Sequence, residues 1–387
     1  MDKKRILIVT SSFPGLKKNT KHLGGAPFIF TEATALTKIG YEIDVIMPSV
    51  KGAPLSELCN GISVTRIEYP MMTHNPGYNG LPQHGNKGIK VLASQFLMSM
   101  YLFKTVFFKT RKISYDFLWS NWLQVGAITA IANLGKTPHM VSIRGSDVRE
   151  TKSRYIKIMA RLVPNVLNMY PDDSEIMQWI EQYSFKEHIV PGVYESKSIS
   201  RATFDKKNIT IIGRLDNEES SYRLKGLGDG LFDVLLKLMK ERDDFSVTVV
   251  GHGRNLQKYR SMLSEYSERV TFTGWKINFD TELSQAGAII GGSGMNGVIM
   301  DSVPNGIPVF ISKNLTGSLW KHKQNCLVFD PDNLSEWAKL LAWGLDHPES
   351  LIEYAEQAKK DITQFALPME KSAFEWDKVI TKFIGKK

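Results

Sequence analysis

Apolar residues along this chain gather into short continuous runs, and between the runs they recur at helical spacing. In the first half the runs predict strands over residues 5–10, 43–47, 62–67, 117–120, 140–143 and 166–170. The periodic stretches predict helices over 28–39, 91–108, 125–133 and 174–181. A second series begins at Asn208, with strands over 209–213, 246–250, 270–272, 288–291, 309–311 and 327–329. Its helices fall at 227–240, 256–266 and 334–345, each of ordinary globular length. Strand and helix alternate from end to end, which predicts an α/β chain whose parallel sheets are covered by helices on both faces. Residues 72–87 carry proline, glycine, asparagine and histidine without a period, and predict a long loop of the kind that touches ligand.

The break between the two series falls near Pro191-Gly192-Val193, and 194–205 is a polar connection. At 387 residues the chain exceeds one ordinary domain. Two Rossmann-like domains in tandem, facing each other across a cleft, are the simplest arrangement. Hydrophobic residues make up 42%, enough for two cores, so no long disordered span is expected. Cys59 and Cys326 form neither a metal-ligand spacing nor a disulfide framework, which fits a reducing cytosol. The charged start, Met1-Asp2-Lys3-Lys4-Arg5, leads only into the short apolar run 6–9, a first strand and too short for a signal peptide.

A formal charge of +9 suits an anionic partner. The sequence has no zinc-finger spacing and no RNA-binding motif, so nucleic acid is not expected. A membrane surface fits better. Within 88–112, Leu92, Phe96, Met100, Phe103 and Phe107 recur at helical spacing, with Lys104, Lys109, Arg111 and Lys112 interrupting and following them. Gln95 and Lys104 argue against a spanning helix, which needs about 20 mostly apolar residues. Two readings stay open: a core-packing helix with a basic end, or a helix lying on an anionic bilayer.

The stretch 291–309 carries the densest chemistry. An apolar strand enters the turn Gly291-Gly292-Ser293-Gly294-Met295-Asn296-Gly297, and a short helix with one acid, Asp301, follows. Glycines there admit a ligand close to the backbone, the helix start offers unpaired N–H groups, and the acid can grip a sugar diol. This predicts a nucleotide or sugar site at the carboxyl ends of a parallel sheet. Gly24-Gly25 follow a basic loop (Lys17, Lys18, Lys21) and precede a helix, either to approach a phosphate or sugar or as a plain turn. No dinucleotide fingerprint follows the first strand, so neither nicotinamide nor flavin is expected. The second domain opens with Gly213-Arg214-Leu215, and Lys225 comes eleven residues after Arg214. Such a cationic pair at a strand end can clamp a diphosphate and neutralise a leaving group without metal. A further glycine turn, Gly251-His252-Gly253, lies above it. Arg144-Gly145-Ser146-Asp147 puts a cation, a hydroxyl and a carboxylate at another strand end, unless Ser146 or Asp147 simply caps the next helix. His139 and His252 are cleft candidates or structural residues, and no Ser-His-Asp or Cys-His set stands out.

Together these residues resemble the GT-B glycosyltransferases, specifically the large retaining family 4. The resemblance covers nearly the whole chain. It runs through Gly24-Gly25, Gly40-Tyr41-Glu42, 116–126, Arg144-Gly145-Ser146-Asp147 and Val190-Pro191-Gly192-Val193. It continues through Gly213-Arg214-Leu215 with Lys225-Gly226, Gly251 and Gly253, 270–274, and Gly306-Ile307-Pro308-Val309. Phe374-Glu375-Trp376 resembles this fold's terminal helix. The resemblance implies an acceptor-binding domain at 1–193, a donor-binding domain at 194–365 and a helix at 366–387 that crosses back to the first domain.

Carried over residue by residue, Arg214 and Lys225 bind the donor diphosphate, and Gly24 and Gly25 lie against the phosphates and the transferred sugar. Asp301 takes the place of the acid that holds the ribose hydroxyls. Gly213, Gly251, Gly253, Ser293, Gly294, Met295 and Asn296 complete the donor site, and Arg144 and Asp147 the catalytic set. The implied enzyme is a hexosyltransferase that uses a UDP-sugar rather than a GDP-sugar, with no cofactor and no metal. It transfers to a glycan or lipid-linked acceptor with retention, by front-face displacement in which the leaving phosphate helps deprotonate the acceptor. The implied setting is bacterial surface polysaccharide or lipopolysaccharide synthesis, in the cytoplasm or peripherally on the inner face of the cell membrane. The chain departs from the family's pattern at Ser293 and Asp301, both usually glutamate, and at Arg144, often histidine and here suited to an anionic acceptor. Residues 217–223 read as an insertion, which makes Arg223 a rival to Lys225. Ser293 motivates the alternative, a nucleotide- or glycan-binding GT-B protein with little transferase activity, such as a non-catalytic subunit. A sugar-nucleotide epimerase of the same fold ranks third.

Overall fold

The computed structural model describes residues 4–16, 25–49, 53–70, 89–143, 147, 153–169, 174–194, 207–213, 215, 228–276, 278–291 and 297–385. The chain divides into two compact units, Met1–Val193 with Leu367–Lys387, and Tyr194–Ala366. The predicted loop 72–87 lies outside the described residues.

The strands of the first unit are β1 (Arg5–Val9), β2 (Glu42–Pro48), β3 (Ser56–Cys59), β4 (Ile62–Ile67), β5 (Phe117–Asn121), β6 (His139–Ser142), β7 (Asn165–Asn168) and β8 (Lys186–Ile189). They form one sheet in the order β3-β4-β2-β1-β5-β6-β7-β8. Every neighbouring pair is parallel except β3 with β4. Its helices are α1 (Pro27–Lys38), α2 (Ile89–Lys112), α3 (Leu123–Asn133), α4 (Ser153–Leu162) and α5 (Ser174–Gln182). The burial of β1 explains its composition. Ile6 and Ile8 pack with α1 residues Ile29, Ala33 and Leu36, while Leu7 and Val9 pack with Leu102 and Val106 of α2. A strand covered on both faces favours apolar side chains at successive positions. Pro27 opens α1 with its φ already set for a helix. Among the described residues no helix is long and apolar enough to cross a membrane.

The chain leaves the first unit through β9 (Gly192–Tyr194). In the second unit β10 (Asn208–Ile212), β11 (Ser246–Val250), β12 (Val270–Gly274), β13 (Ala288–Ile290), β14 (Val309–Ser312) and β15 (Leu327–Phe329) form a parallel sheet. Their order is β12-β11-β10-β13-β14-β15, the doubly wound arrangement. The helices are α6 (Asp229–Glu241), α7 (Leu256–Met262), α8 (Asp280–Ser284), α9 (Gly297–Ser302), α10 (Leu334–Asp346) and α11 (Pro348–Asp361). The Asn333 side chain accepts the Glu336 N–H and caps α10, which stacks Trp337 on Phe329 at 4.2 Å between ring centroids. The chain returns through β16 (Ala366–Pro368), which pairs with β9, and ends in α12 (Met369–Ile384). Trp376 of α12 packs against Trp119 of β5, and its indole N–H donates to the Pro191 carbonyl at 3.0 Å. The last helix is therefore part of the first unit's core.

Several elements carry no clear apolar signal. β3 buries an acid: Glu57 meets Arg66 of β4 at 2.7 Å, with side chains 1% and 0% exposed. Arg66 also donates to the Pro54 carbonyl, and the Glu57 carboxylate accepts the Leu16 N–H. α4 differs: its apolar residues keep a helical period, with Ile156 buried and Tyr155, Ile158 and Leu162 exposed, yet no helix is predicted there above. The 256–266 helix stops at Met262, and a separate 3-10 turn covers Ser264–Tyr266. The buried ion pair gives a direct expectation. Arg66→Met, which strands the Glu57 carboxylate, lowers the unfolding free energy by about 3–5 kcal/mol in a urea titration.

Candidate functional site

A doubly wound sheet binds ligands outside the carboxyl ends of its strands, where the strand order reverses. In the second unit that point lies between β10 and β13, and in the first unit between β1 and β5.

In the second unit, the turns after β10 and β11 are knitted through their backbones. The Gly213 N–H donates to the Val250 carbonyl at 3.0 Å, and the Leu215 N–H to the His252 carbonyl at 3.0 Å. The Leu215 carbonyl accepts from Asn255, and Gly251 donates to the Gly274 carbonyl, each at 2.9 Å. The two turns approach so closely that a Cβ on Gly251 would stand 1.9 Å from the Gly213 carbonyl oxygen. Gly253 supplies the carbonyl that accepts the first N–H of α7, from Leu256. After β13, a Cβ on Gly291 would come within 2.5 Å of the Ile299 side chain, so α9 sits directly on the strand end. Asp301 is half-buried on α9, between buried Met300 and Ser302, and its backbone carbonyl accepts from the Asn305 amide at 2.6 Å. With six residues, α9 is little more than one turn and runs straight into the 3-10 segment Val303–Asn305. Four proposed donor residues, Gly213, Gly251, Gly253 and Asp301, thus lie at or just beyond the carboxyl ends of one sheet. Arg214, Lys225, Ser293, Gly294, Met295 and Asn296 lie outside the described residues, as does Arg223.

In the first unit, the turn after β1 is closed by Thr10 and Ser12. The Thr10 hydroxyl donates to the Ser12 carbonyl and accepts the Ser12 N–H. Gly25 lies against this turn, its missing Cβ only 2.9 Å from the Ser12 hydroxyl. Gly24 and Arg144 lie outside the described residues. Asp147 is 4% exposed, and its carboxylate accepts the Leu123 N–H at 2.8 Å. It therefore caps α3, which begins 24 residues earlier. The residue before α3, Trp122, has φ 69° and ψ 137°, a strained backbone for a bulky side chain. A buried carboxylate and two backbone bonds, Trp122 to the Ser142 carbonyl and Gly126 to the Trp122 carbonyl, hold it there. The structure thus gives Asp147 the task of fixing the strand-to-helix turn beside the reversal point.

Histidine placement departs from the cleft expectation for one residue. His139 is the first residue of β6, so it sits at the amino end of its strand, opposite the carboxyl-end turns. Its ring meets the Ser120 hydroxyl at 2.8 Å, and burial pushes its pKa down to about 3, leaving it neutral. His252 is exposed between Gly251 and Gly253. Trp275, 52% exposed immediately after β12, also stands at the carboxyl end of the second sheet. Nothing in its sequence context separates it from a surface aromatic. Among the described residues no group of three or more His, Cys, Asp or Glu is placed to hold a metal ion.

Residues 206–347 match the model of the family Glycosyl transferases group 1. The second unit carries a group 1 glycosyltransferase domain. The whole chain superposes on solved structures at low identity. Sucrose-phosphate synthase from Thermosynechococcus elongatus matches with a TM-score of 0.71, 14% identity and 100% coverage of both chains. Anabaena HepE in complex with UDP matches at 0.66 and 13% identity, covering 98% of this chain and 100% of that one. The lipopolysaccharide outer core galactosyltransferase WaaB matches at 0.62 and 14% identity, covering 98% and 99%. No curated protein is a significant sequence match. The fold is that of GT-B glycosyltransferases, and the protein is a glycosyltransferase.

The Gly213–Gly251 approach generates a paired test in this glycosyltransferase. Gly251→Ala forces the two turns apart, costs about 1–3 kcal/mol of stability and weakens nucleotide binding. Gly228→Ala, where an added Cβ meets nothing within 4 Å, changes stability by less than about 1 kcal/mol and leaves nucleotide binding unchanged. Thermal melts and calorimetric titration with UDP read both variants.

Proposed function

We propose that this glycosyltransferase moves a hexosyl group from a UDP-sugar to a glycan acceptor in bacterial surface polysaccharide synthesis, with retention and without a metal. The observation that carries the reading is the glycine-lined reversal point of the second unit, inside the segment 206–347 that matches the group 1 family. HepE, with its bound UDP, and the lipopolysaccharide galactosyltransferase WaaB support the donor class and the pathway.

In this reading the diphosphate lies over the turns at Gly213 and Gly251–Gly253, clamped by Arg214 and Lys225, while Asp301 takes the ribose hydroxyls. Ser293, Gly294, Met295 and Asn296 line the donor. The bond from the sugar's anomeric carbon to the diphosphate oxygen breaks on the face where the acceptor oxygen bonds. The acceptor proton passes to an oxygen of the departing diphosphate, whose growing charge Arg214 and Lys225 neutralise. Arg144 suits an anionic acceptor, and Asp147 acts through α3 by holding its first turn. The acceptor is a glycan or a lipid-linked glycan, and α2 (within 88–112) brings the protein to the anionic inner face of the cell membrane.

Arg214→Ala raises the Kd for UDP about 10- to 150-fold, the loss of a charge-assisted hydrogen bond worth about 1.5–3 kcal/mol. Calorimetry with UDP, and transfer assays with UDP- and GDP-sugars, test this directly. Unchanged UDP binding in Arg214→Ala rules out the clamp. The second reading, a protein that binds without transferring, rests on Ser293 in place of the usual glutamate. It predicts tight UDP binding with no turnover from any donor, whereas a weakened enzyme gains turnover in Ser293→Glu.

A further inference from the structure

The first unit carries an outward surface that the donor and acceptor chemistry does not use. We propose that α2, α3 and α4 together form one docking face for an anionic lipid bilayer, so that three helices meet the membrane rather than α2 alone. This rests on the membrane reading of α2 above and extends it to two further helices.

The three helices lie in one layer. α3 packs beside both α2 and α4. Leu102 and Val106 of α2 share a core with Val125 of α3 and with Leu7 and Leu118 of the sheet. Ile156 of α4 shares a core with Val141 and Val166, whose strand neighbours Met140 and Leu167 turn to the opposite, α1-facing core. All three helices therefore cover the same face of the sheet, and their outer surfaces look to the same side.

Each outer surface is apolar. Phe96 of α2 is 65% exposed, with Met100 and Phe103 following at helical spacing. Leu134, just beyond α3, is 69% exposed, and Ile131 precedes it. Ile158 of α4 is 58% exposed, one turn before exposed Leu162. A groove between α2 and α3, lined by Met100, Phe103, Ile128 and Ile131, joins the first two patches. Soluble proteins seldom leave a large contiguous apolar surface uncovered, and the α2 and α3 patches are continuous through this groove.

Charge selects the occupant. None of the three helices contains an aspartate or glutamate. Lys104 and Lys112 of α2, and Lys157 and Arg161 of α4, are exposed on them. Lys109 does not belong to this set. It turns inward to Asp44 at 3.8 Å and Thr65 at 3.3 Å, and burial lowers its pKa. These three helices, apolar, cationic and without an acid of their own, complement anionic headgroups over acyl chains, and the exposed Glu181 lies on α5, the next helix on this face of the sheet. A second copy of the same face would bring like charges together, which disfavours self-association.

The test uses the full chain and co-sedimentation with vesicles of phosphatidylcholine alone or mixed with phosphatidylglycerol. Phe96→Glu probes α2, and Ile158→Glu and Lys157→Glu probe α4. These positions are exposed, so melting temperature and UDP affinity should match wild type and certify the fold. The proposal predicts binding only to the phosphatidylglycerol vesicles, with each α4 variant weakening it about fivefold or more, as Phe96→Glu does. Wild-type binding by both α4 variants, with loss in Phe96→Glu, overturns the three-helix face and leaves the α2 reading standing. No binding of the wild type to either vesicle overturns both. Dimerisation that Ile158→Glu abolishes assigns the face to a second copy and also overturns the proposal. UDP affinity, measured separately, reports on the donor site whatever the vesicles show.

Discussion

The second unit is organised around one backbone contact, the approach of the Gly251 Cα to the Gly213 carbonyl. With 1.9 Å where a Cβ would stand, no other residue fits without separating β10 from β11 at their carboxyl ends. The same approach lets Leu215 bond to both His252 and Asn255, which buries Leu215 in the core and ties the turn after β10 to the start of α7. Gly213 and Leu215, the sequence neighbours of Arg214, are thereby both fixed by backbone bonds. A charged clamp is effective when its support is already organised, because little is lost in ordering it on binding.

The first unit solves the same problem with different materials. Its reversal point is held by a strained Trp122, a buried Asp147 on the first N–H of α3, and a Ser12–Thr10 turn against Gly25. Farther along the sheet edge, the Glu57–Arg66 pair anchors Leu16, the last described residue before the basic segment that leads to Gly24. A buried ion pair is a weak source of net stability but a strong source of position, since either partner alone is costly in the interior. This unit also presents the apolar and cationic helices, and the Trp122 turn leads straight into one of them, α3.

Much of this was legible in the sequence, for a physical reason. Strands buried on both faces favour apolar residues, so β1, with Ile6 to Val9 all buried, stands out at once, while β2 and β4 read as strands despite holding buried Asp44 and Arg66. The glycines at 213, 251, 253 and 291 were legible as turns at strand ends; at 251 and 291 the missing Cβ makes room for the Gly213 carbonyl and the Ile299 side chain. The edges were harder. β3 hides a glutamate whose partner is brought in by the antiparallel pairing, and nothing local announces a buried acid. α4 does keep a helical apolar period, from Tyr155 to Leu162, but it is short and follows the segment 144–147, where the sequence drew attention to chemistry rather than to a helix. Asp147 was legible as a strand-end acid or the cap of the next helix. That it caps α3, an earlier helix, depends on β5 and β6 being neighbours, a fact of topology rather than of local spacing.

In this reading the nucleotide sits at the reversal point of the second sheet. Amide hydrogen exchange on the full chain, with and without saturating UDP, tests it most directly. The account predicts slowed exchange in peptides covering Gly213, Gly251–Gly253 and 291–301, with the amino ends of the same strands unchanged. Protection confined to the first unit, or none at saturating UDP, would contradict it.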